Sequence, residues 1–127
     1  MTTSPRDPPA LIERLAAVAA RPASAVAEHN LAALLGDLGR SAEAEAAARR
    51  AFAKGGDAPE TWLVLSRALV AQNRHDDAET AYREALARRP GYIDAVRDLS
   101  QLIWMRTADG ERALEPVREA LARTPAD

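Results

Sequence analysis

The sequence predicts an all-α fold, an α-α superhelix of three stacked helical hairpins led by one N-terminal helix. Three observations predict it. The triplet Ala44, Ala48, Ala51 recurs 34 residues later as Ala78, Tyr82, Ala85, and 35 residues after that as Ala113, Val117, Ala120. Self-similarity at this period marks stacked two-helix units, because each unit is amphipathic and buries its apolar face only against a neighbour. Composition agrees: 47% of the residues are hydrophobic but only 4% are aromatic, so small side chains on closely approaching helices must form the core. Glycine and proline fall between the apolar runs, where helices start and stop.

Met1–Pro9 holds Pro5, Pro8 and Pro9 among small polar residues, and is expected to be disordered. The spacing of Leu11, Leu15 and Val18 then predicts a leading helix within residues 10–22, ended by Arg21 and Pro22. Residues 23–127 form the repeat domain, with units at about 25–58, 59–92 and 93–127. In the first unit Ser24 is a candidate N-cap, Leu31, Leu35 and Leu38 form one face, and Gly39 stops the helix. Ser41 is expected to cap the second helix, with Glu43 and Glu45 in its first turn and Gly55 and Gly56 at its end.

The second unit opens with a capping-box pattern, Asp57 and Glu60, with Pro59 in the first turn. Trp62, Leu65 and Leu69 face inward as far as Asn73, and Asp76 with Glu79 is expected to cap the helix carrying Ala78, Tyr82, Ala85 and Leu86. Pro90 and Gly91 close it. The third unit repeats the order through Val96, Leu99 and Ile103, a turn at Thr107–Gly110, and Ala113, Val117, Ala120 and Leu121, with Pro125 at the close. Pro116 lies about two turns inside the last helix, where a missing N–H predicts a kink or a later start.

Several function classes drop out on composition. The chain has no cysteine, which removes disulfides and thiol chemistry, and a net charge of −2 lacks the basic footprint of a nucleic-acid binder. No apolar run approaches the ~18 residues of a membrane span, and Met1–Pro9 has no secretory pattern, so a cytoplasmic location is expected and no membrane partner. His29 and His75 fall at dissimilar places in different units, and the run His75, Asp76, Asp77 reads as a helix start rather than a metal site. The pairs Glu43/Glu45 and Asp76/Asp77 belong to exposed first turns with no apolar pocket to raise a pKa. No nucleophile elbow is present, and Gly55–Gly56 lacks the residues of a phosphate loop. No catalytic, cofactor-binding or metal residue is assigned, and an enzyme is not expected.

Residues 59–92 resemble a tetratricopeptide repeat through Trp62, Leu65, Ser66, Leu69, Ala78, Tyr82, Ala85 and Pro90, with Ser66 in place of the usual glycine. Residues 25–58 match through Leu31, Ala32, Leu35, Ala44, Ala48 and Ala51, with Glu28 where tryptophan is common and Gly56 where proline is usual. Residues 93–127 match through Leu99, Ser100, Ile103, Ala113, Val117, Ala120 and Pro125.

The resemblance implies a concave groove lined by the first helix of each hairpin. Register assigns the peptide-binding groove to His29, Asn30, Asp37, Leu63, Arg67, Arg97, Asp98, Gln101, Trp104 and Met105, with Ala33, Glu60, Val64 and Asp94 beside them. Trp104 and Met105 lie off the Val96, Leu99, Ile103 stripe and read either as an anchor for a partner or as residues packed under a further helix. One peptide-binding subset of the family holds a terminal carboxylate with bases; the matching positions here are His29, Ala33, Val64, Asp94 and Asp98, so no such clamp is expected.

The implied function is a non-enzymatic scaffold for a protein or peptide partner. An alternative is the N-terminal scaffold segment of a longer bacterial enzyme, such as a sulfotransferase or an iron and 2-oxoglutarate oxygenase, whose C-terminal domain would be the partner. A third reading is a homodimer built through Trp104, Met105 and Leu121.

Overall fold

Alternating short apolar stripes and glycine or proline stops give seven helices and no strand among the described residues, which are 8–19 and 24–123 of this computed structural model. They are α1 (Pro8–Ala19), α2 (Ala25–Asp37), α3 (Ser41–Ala53), α4 (Pro59–Ala71), α5 (His75–Arg88), α6 (Ile93–Thr107) and α7 (Gly110–Arg123). Hairpins pair α2 with α3, α4 with α5 and α6 with α7, and they stack through α3 on α4 and α5 on α6. α1 packs on α2 through Ile12 and Leu15, so it takes the place of a preceding second helix.

Alanine makes the stacking possible. Ala44, Ala47, Ala48 and Ala51 of α3 and Ala78, Ala81 and Ala85 of α5 are buried with essentially no exposed surface, and Leu31, Leu35, Leu65, Leu69, Leu99 and Ile103 of the first helices fill the space between. α2 also packs directly on α4, without comparable packing of α3 on α5 or of α4 on α6 among the described residues.

The helix stops work as their sequence implies. Gly39 (φ +77°) and Gly55 (φ +92°) adopt the left-handed conformation, and the following residues Arg40 and Gly56 donate back to Leu35 and Ala51 at 2.9 Å. These are Schellman closures, and Asn73 (φ 59°) makes a third, with Arg74 donating to Leu69. Gly56 has a second reason to be glycine: a Cβ there would meet the Ala51 carbonyl oxygen at 2.9 Å and the Ala25 methyl at 3.1 Å.

Helix starts differ from expectation. Pro8 and Pro9 begin α1 rather than lying in a disordered segment, since a proline in the first turn has no N–H to lose there. Residues 1–7, Pro22 and Pro125 lie outside the described residues. Ser24 stands at the N-cap of α2 without a side-chain capping bond, and α3, α4 and α5 start after Arg40, Ala58 and Arg74 instead of Ser41, Asp57 and Asp76. The acids expected as caps are drawn into ion pairs: Asp57 with Arg88, and Asp76 with Arg106.

Asp109 is the residue that does cap. It accepts from the backbone N–H groups of Glu111 and Arg112 at 3.0 and 3.2 Å. Its start fixes α7 at Gly110, so the helix does not begin after Pro116 but runs through it to Arg123. The Pro116 ring is fully buried, a site where its compact shape packs although it supplies no N–H to the Arg112 carbonyl.

Candidate functional site

The first helices form a continuous face, and between each adjacent pair lies a notch built from the same repeat positions. Ala33, Gly36 and Asp37 of α2 face Val64, Arg67, Ala68 and Ala71 of α4 around a notch of about 240 Å³. Thirty-four residues on, Val70 of α4 faces Asp98, Gln101, Leu102 and Met105 of α6 around one of about 220 Å³, with Tyr82 of α5 at its floor. Val70 takes the place of Gly36, and Asp98, Gln101, Leu102 and Met105 those of Val64, Arg67, Ala68 and Ala71. One architecture therefore presents a small, shallow wall first and a bulkier, polarisable one second.

Asp98 sits at the centre of this face. It accepts from Arg67 Nε at 2.7 Å and from the Tyr82 hydroxyl at 3.3 Å. That hydrogen bond from Arg67 to Asp98 outweighs the desolvation of the guanidinium and raises its pKa. Burial, reinforced by the Asp98 charge, pushes the Tyr82 phenol well above its ordinary value, so the hydroxyl remains a donor. Asp94 is met by Arg97 at 3.3 Å. The two acids of the carboxylate-clamp positions are thus each matched by an arginine, and the face carries paired charges rather than the bases of that subset.

The structure brings Asp37, Arg67, Asp98, Gln101 and Met105 into the two notches. His29 and Asn30 border neither notch: His29, in the register of Leu63, is half-buried against α4 with its Nδ1 2.8 Å from Thr61 Oγ1, and Asn30 is exposed. Leu63 is a correction: it is 5% exposed and belongs to the core, because its position faces the next hairpin rather than the groove. Arg97, which repeats the Leu63 position, lines the outer face of α6 and α7 instead of a notch. Trp104 and Met105 are 53% and 67% exposed. Trp104 takes the register of Gly36 and Val70, so it extends the first-helix face beyond the second notch.

Tyr82, Gly36 and Ala71 were not assigned to the groove from sequence, although offsetting any assigned position by one repeat would have found Ala71 from Met105. The partners of Glu28 are visible only in the structure. Standing where Trp62 stands in the next unit, it is 2% exposed and accepts from Arg50 Nε at 2.9 and 3.0 Å and from Lys54 Nζ at 3.1 Å. Lys54 repeats as Arg88, whose guanidinium lies 4.7 Å over the Trp62 ring. The same cationic position thus serves a carboxylate in one unit and an indole face in the other. Among the described residues no group of three or more His, Asp or Glu is placed to hold a metal ion, and no helix is long and apolar enough to cross a membrane.

The sequence profile described as Tetratricopeptide repeat matches residues 29–93 and, in a second placement, 63–127. The chain belongs to the tetratricopeptide repeat family. Solved structures agree on the fold: a crystal structure of MamA superposes with a TM-score of 0.79 at 23% identity, over 91% of this chain and 67% of that one. A second MamA crystal structure gives 0.78 at 23% identity over 91% of this chain and 63% of its own length. MamA 41-end from Desulfovibrio magneticus RS-1 gives 0.71 at 17% identity, over 91% and 75%. No curated protein sequence matches the chain. Tetratricopeptide repeats are interaction scaffolds.

Proposed function

We propose that this chain is a non-enzymatic scaffold that holds a protein or peptide along the face of α2, α4 and α6. The observation that carries the reading is the recurrence of one notch geometry between successive first helices, at two adjacent repeats. A partner laid across this face meets a small-residue notch at Gly36 and Ala71, an ion-paired centre at Arg67–Asp98, and a thioether and indole at Met105 and Trp104. Adaptable Met and aromatic anchors beside fixed polar groups suit protein recognition.

Gly36→Trp adds an indole at the rim of the first notch, from a position where a Cβ meets nothing within 4 Å, and Met105→Asp puts charge on the exposed wall of the second. Both variants are expected to keep the helical far-UV spectrum and to lose the proteins that co-purify with the native chain. Unchanged capture by both folded variants would remove this face from the function.

A further inference from the structure

Each hairpin offers a seat for the next first helix, and the two occupied seats show what fits. α4 lies on the first hairpin with Thr61 Oγ1 2.8 Å from His29, Trp62 stacked on Phe52 at 4.2 Å between ring centroids, and Gln72 Nε2 donating to Glu45 at 3.1 Å. α6 repeats this on the second hairpin. Ala95, Val96 and Arg106 take the places of Thr61, Trp62 and Gln72, and Arg106 lies 3.6 Å from Glu79, the successor of Glu45. The inward positions of both helices have one spacing: Thr61, Trp62, Leu65, Leu69 and Ala95, Val96, Leu99, Ile103.

Among the described residues, no helix covers the same seat on the third hairpin. Val96, Ser100, Val117, Ala120 and Leu121 border an apolar groove of about 540 Å³ on α6 and α7. Leu121, successor of Phe52 and Leu86, is 70% exposed, whereas Phe52 stacks on Trp62 and Leu86 packs against the core. Two positions depart from the occupied seats. Arg97 stands where they have His29 and Leu63, and Leu114, exposed, stands where they have Glu45 and Glu79.

We infer that this seat receives an amphipathic helix from a partner polypeptide, with an acid at its first inward position, apolar residues one, four and eight positions later, and another apolar residue eleven positions on. The first requirement comes from Arg97. Although paired on one side with Asp94 at 3.3 Å, its guanidinium stays exposed at the register position where His29 meets Thr61, so an incoming carboxylate there adds a second acceptor. The last comes from Leu114. Where α4 and α6 end in a side-chain donor aimed at a glutamate, the incoming helix meets carbon, and a donor there would lose its hydration without gaining an acceptor. The occupant therefore differs from α4 and α6 at both places while keeping their apolar spacing, so the seat continues an interface already formed twice in the molecule.

The probe is a fluorophore-labelled peptide copying Pro59–Asn73 with Thr61→Asp and Gln72→Leu, titrated with the whole chain and followed by anisotropy. Saturable binding is expected, weakened at least about tenfold by Leu121→Asp and left unchanged by Met105→Asp, which alters only the first-helix face. A second peptide with Thr61→Lys should bind more weakly to the native chain, and Arg97→Glu should reverse that order. All three altered side chains are exposed, and far-UV spectra serve to check that the variants fold. Absence of saturation, equal binding by Leu121→Asp, or an order insensitive to Arg97→Glu overturns the inference. So does sedimentation equilibrium showing that the chain pairs with itself through Leu121 and that the peptide does not compete, which would make a second copy the occupant.

Discussion

At the scale of single residues, the molecule is governed by what little room its helices leave one another. Ala78 has no exposed surface and lies where α5 meets α4 within the hairpin, so the four-carbon side chain of leucine has nowhere to go. Ala78→Leu is expected to cost about 1–3 kcal/mol through overpacking, read as a lowered urea midpoint with an unchanged slope. Buried charge follows a different rule. Glu28 is tolerated at a tryptophan position because Arg50 and Lys54 both reach it, and its carboxylate replaces by ion pairing what the indole of Trp62 achieves by stacking. Sequence register located this position but could not disclose its partners, since Arg50 and Lys54 become neighbours only when α3 folds back on α2.

At the scale of elements, helix ends are set by closures in two different chemistries. The C-terminal ends close through left-handed Gly39, Gly55 and Asn73, all visible in the sequence as turn residues. The N-terminal ends are set by competition: arginines claim Asp57 and Asp76, and only Asp109 caps with its side chain among the acids considered. Asp109→Ala is expected to destabilise α7 by about 1 kcal/mol, seen as lower amide protection at Glu111 and Arg112 with little change in α4 and α5.

Between elements, Glu45 of α3 ties α4 and α5 to the first hairpin. Burial opposes its ionisation, but hydrogen bonds from Arg49, Gln72 and Arg74 together hold its carboxyl below the usual glutamate range. A depressed folded pKa adds stability that is present above the ordinary value of about 4.3 and is lost as pH falls through the lowered folded value. Urea midpoints measured from pH 7 to pH 3 should therefore fall less for Glu45→Gln than for the native chain, and parallel curves would show that the tie contributes nothing.

At the scale of the whole molecule, stacking and the proposed first-helix groove use different faces of the same helices. Leu63, Leu65 and Leu69 of α4 are spent on stacking, which leaves Val64, Arg67 and Ala71 for the first-helix face. The assignment of Leu63 to the groove failed for this reason: adjacent helix positions point about 100° apart, and register alone does not say which of two neighbours turns toward the next hairpin. Asp98, Gln101 and Met105 lie one turn apart on a single stripe of α6, and Arg67 repeats the Gln101 position on α4, so all four line the notches. Filling the first notch with Gly36→Trp or charging the second with Met105→Asp tests the face as a unit, whereas the exposed α6–α7 seat is tested by Leu121→Asp. The two surfaces are separable because no residue of either notch borders that seat.

The repeat period, the helix stops and the alanine-lined core follow from local spacing, and for them the order of residues along the chain was sufficient. They depend on interactions within one helix or between helices joined by a short turn. Which acids cap and which pair with arginine, that Leu63 and not Val64 turns into the core, and which seat stands open among the described residues were decided only in three dimensions. Each turns on the approach of side chains separated by about one repeat, and that approach exists only once apolar burial has stacked the hairpins.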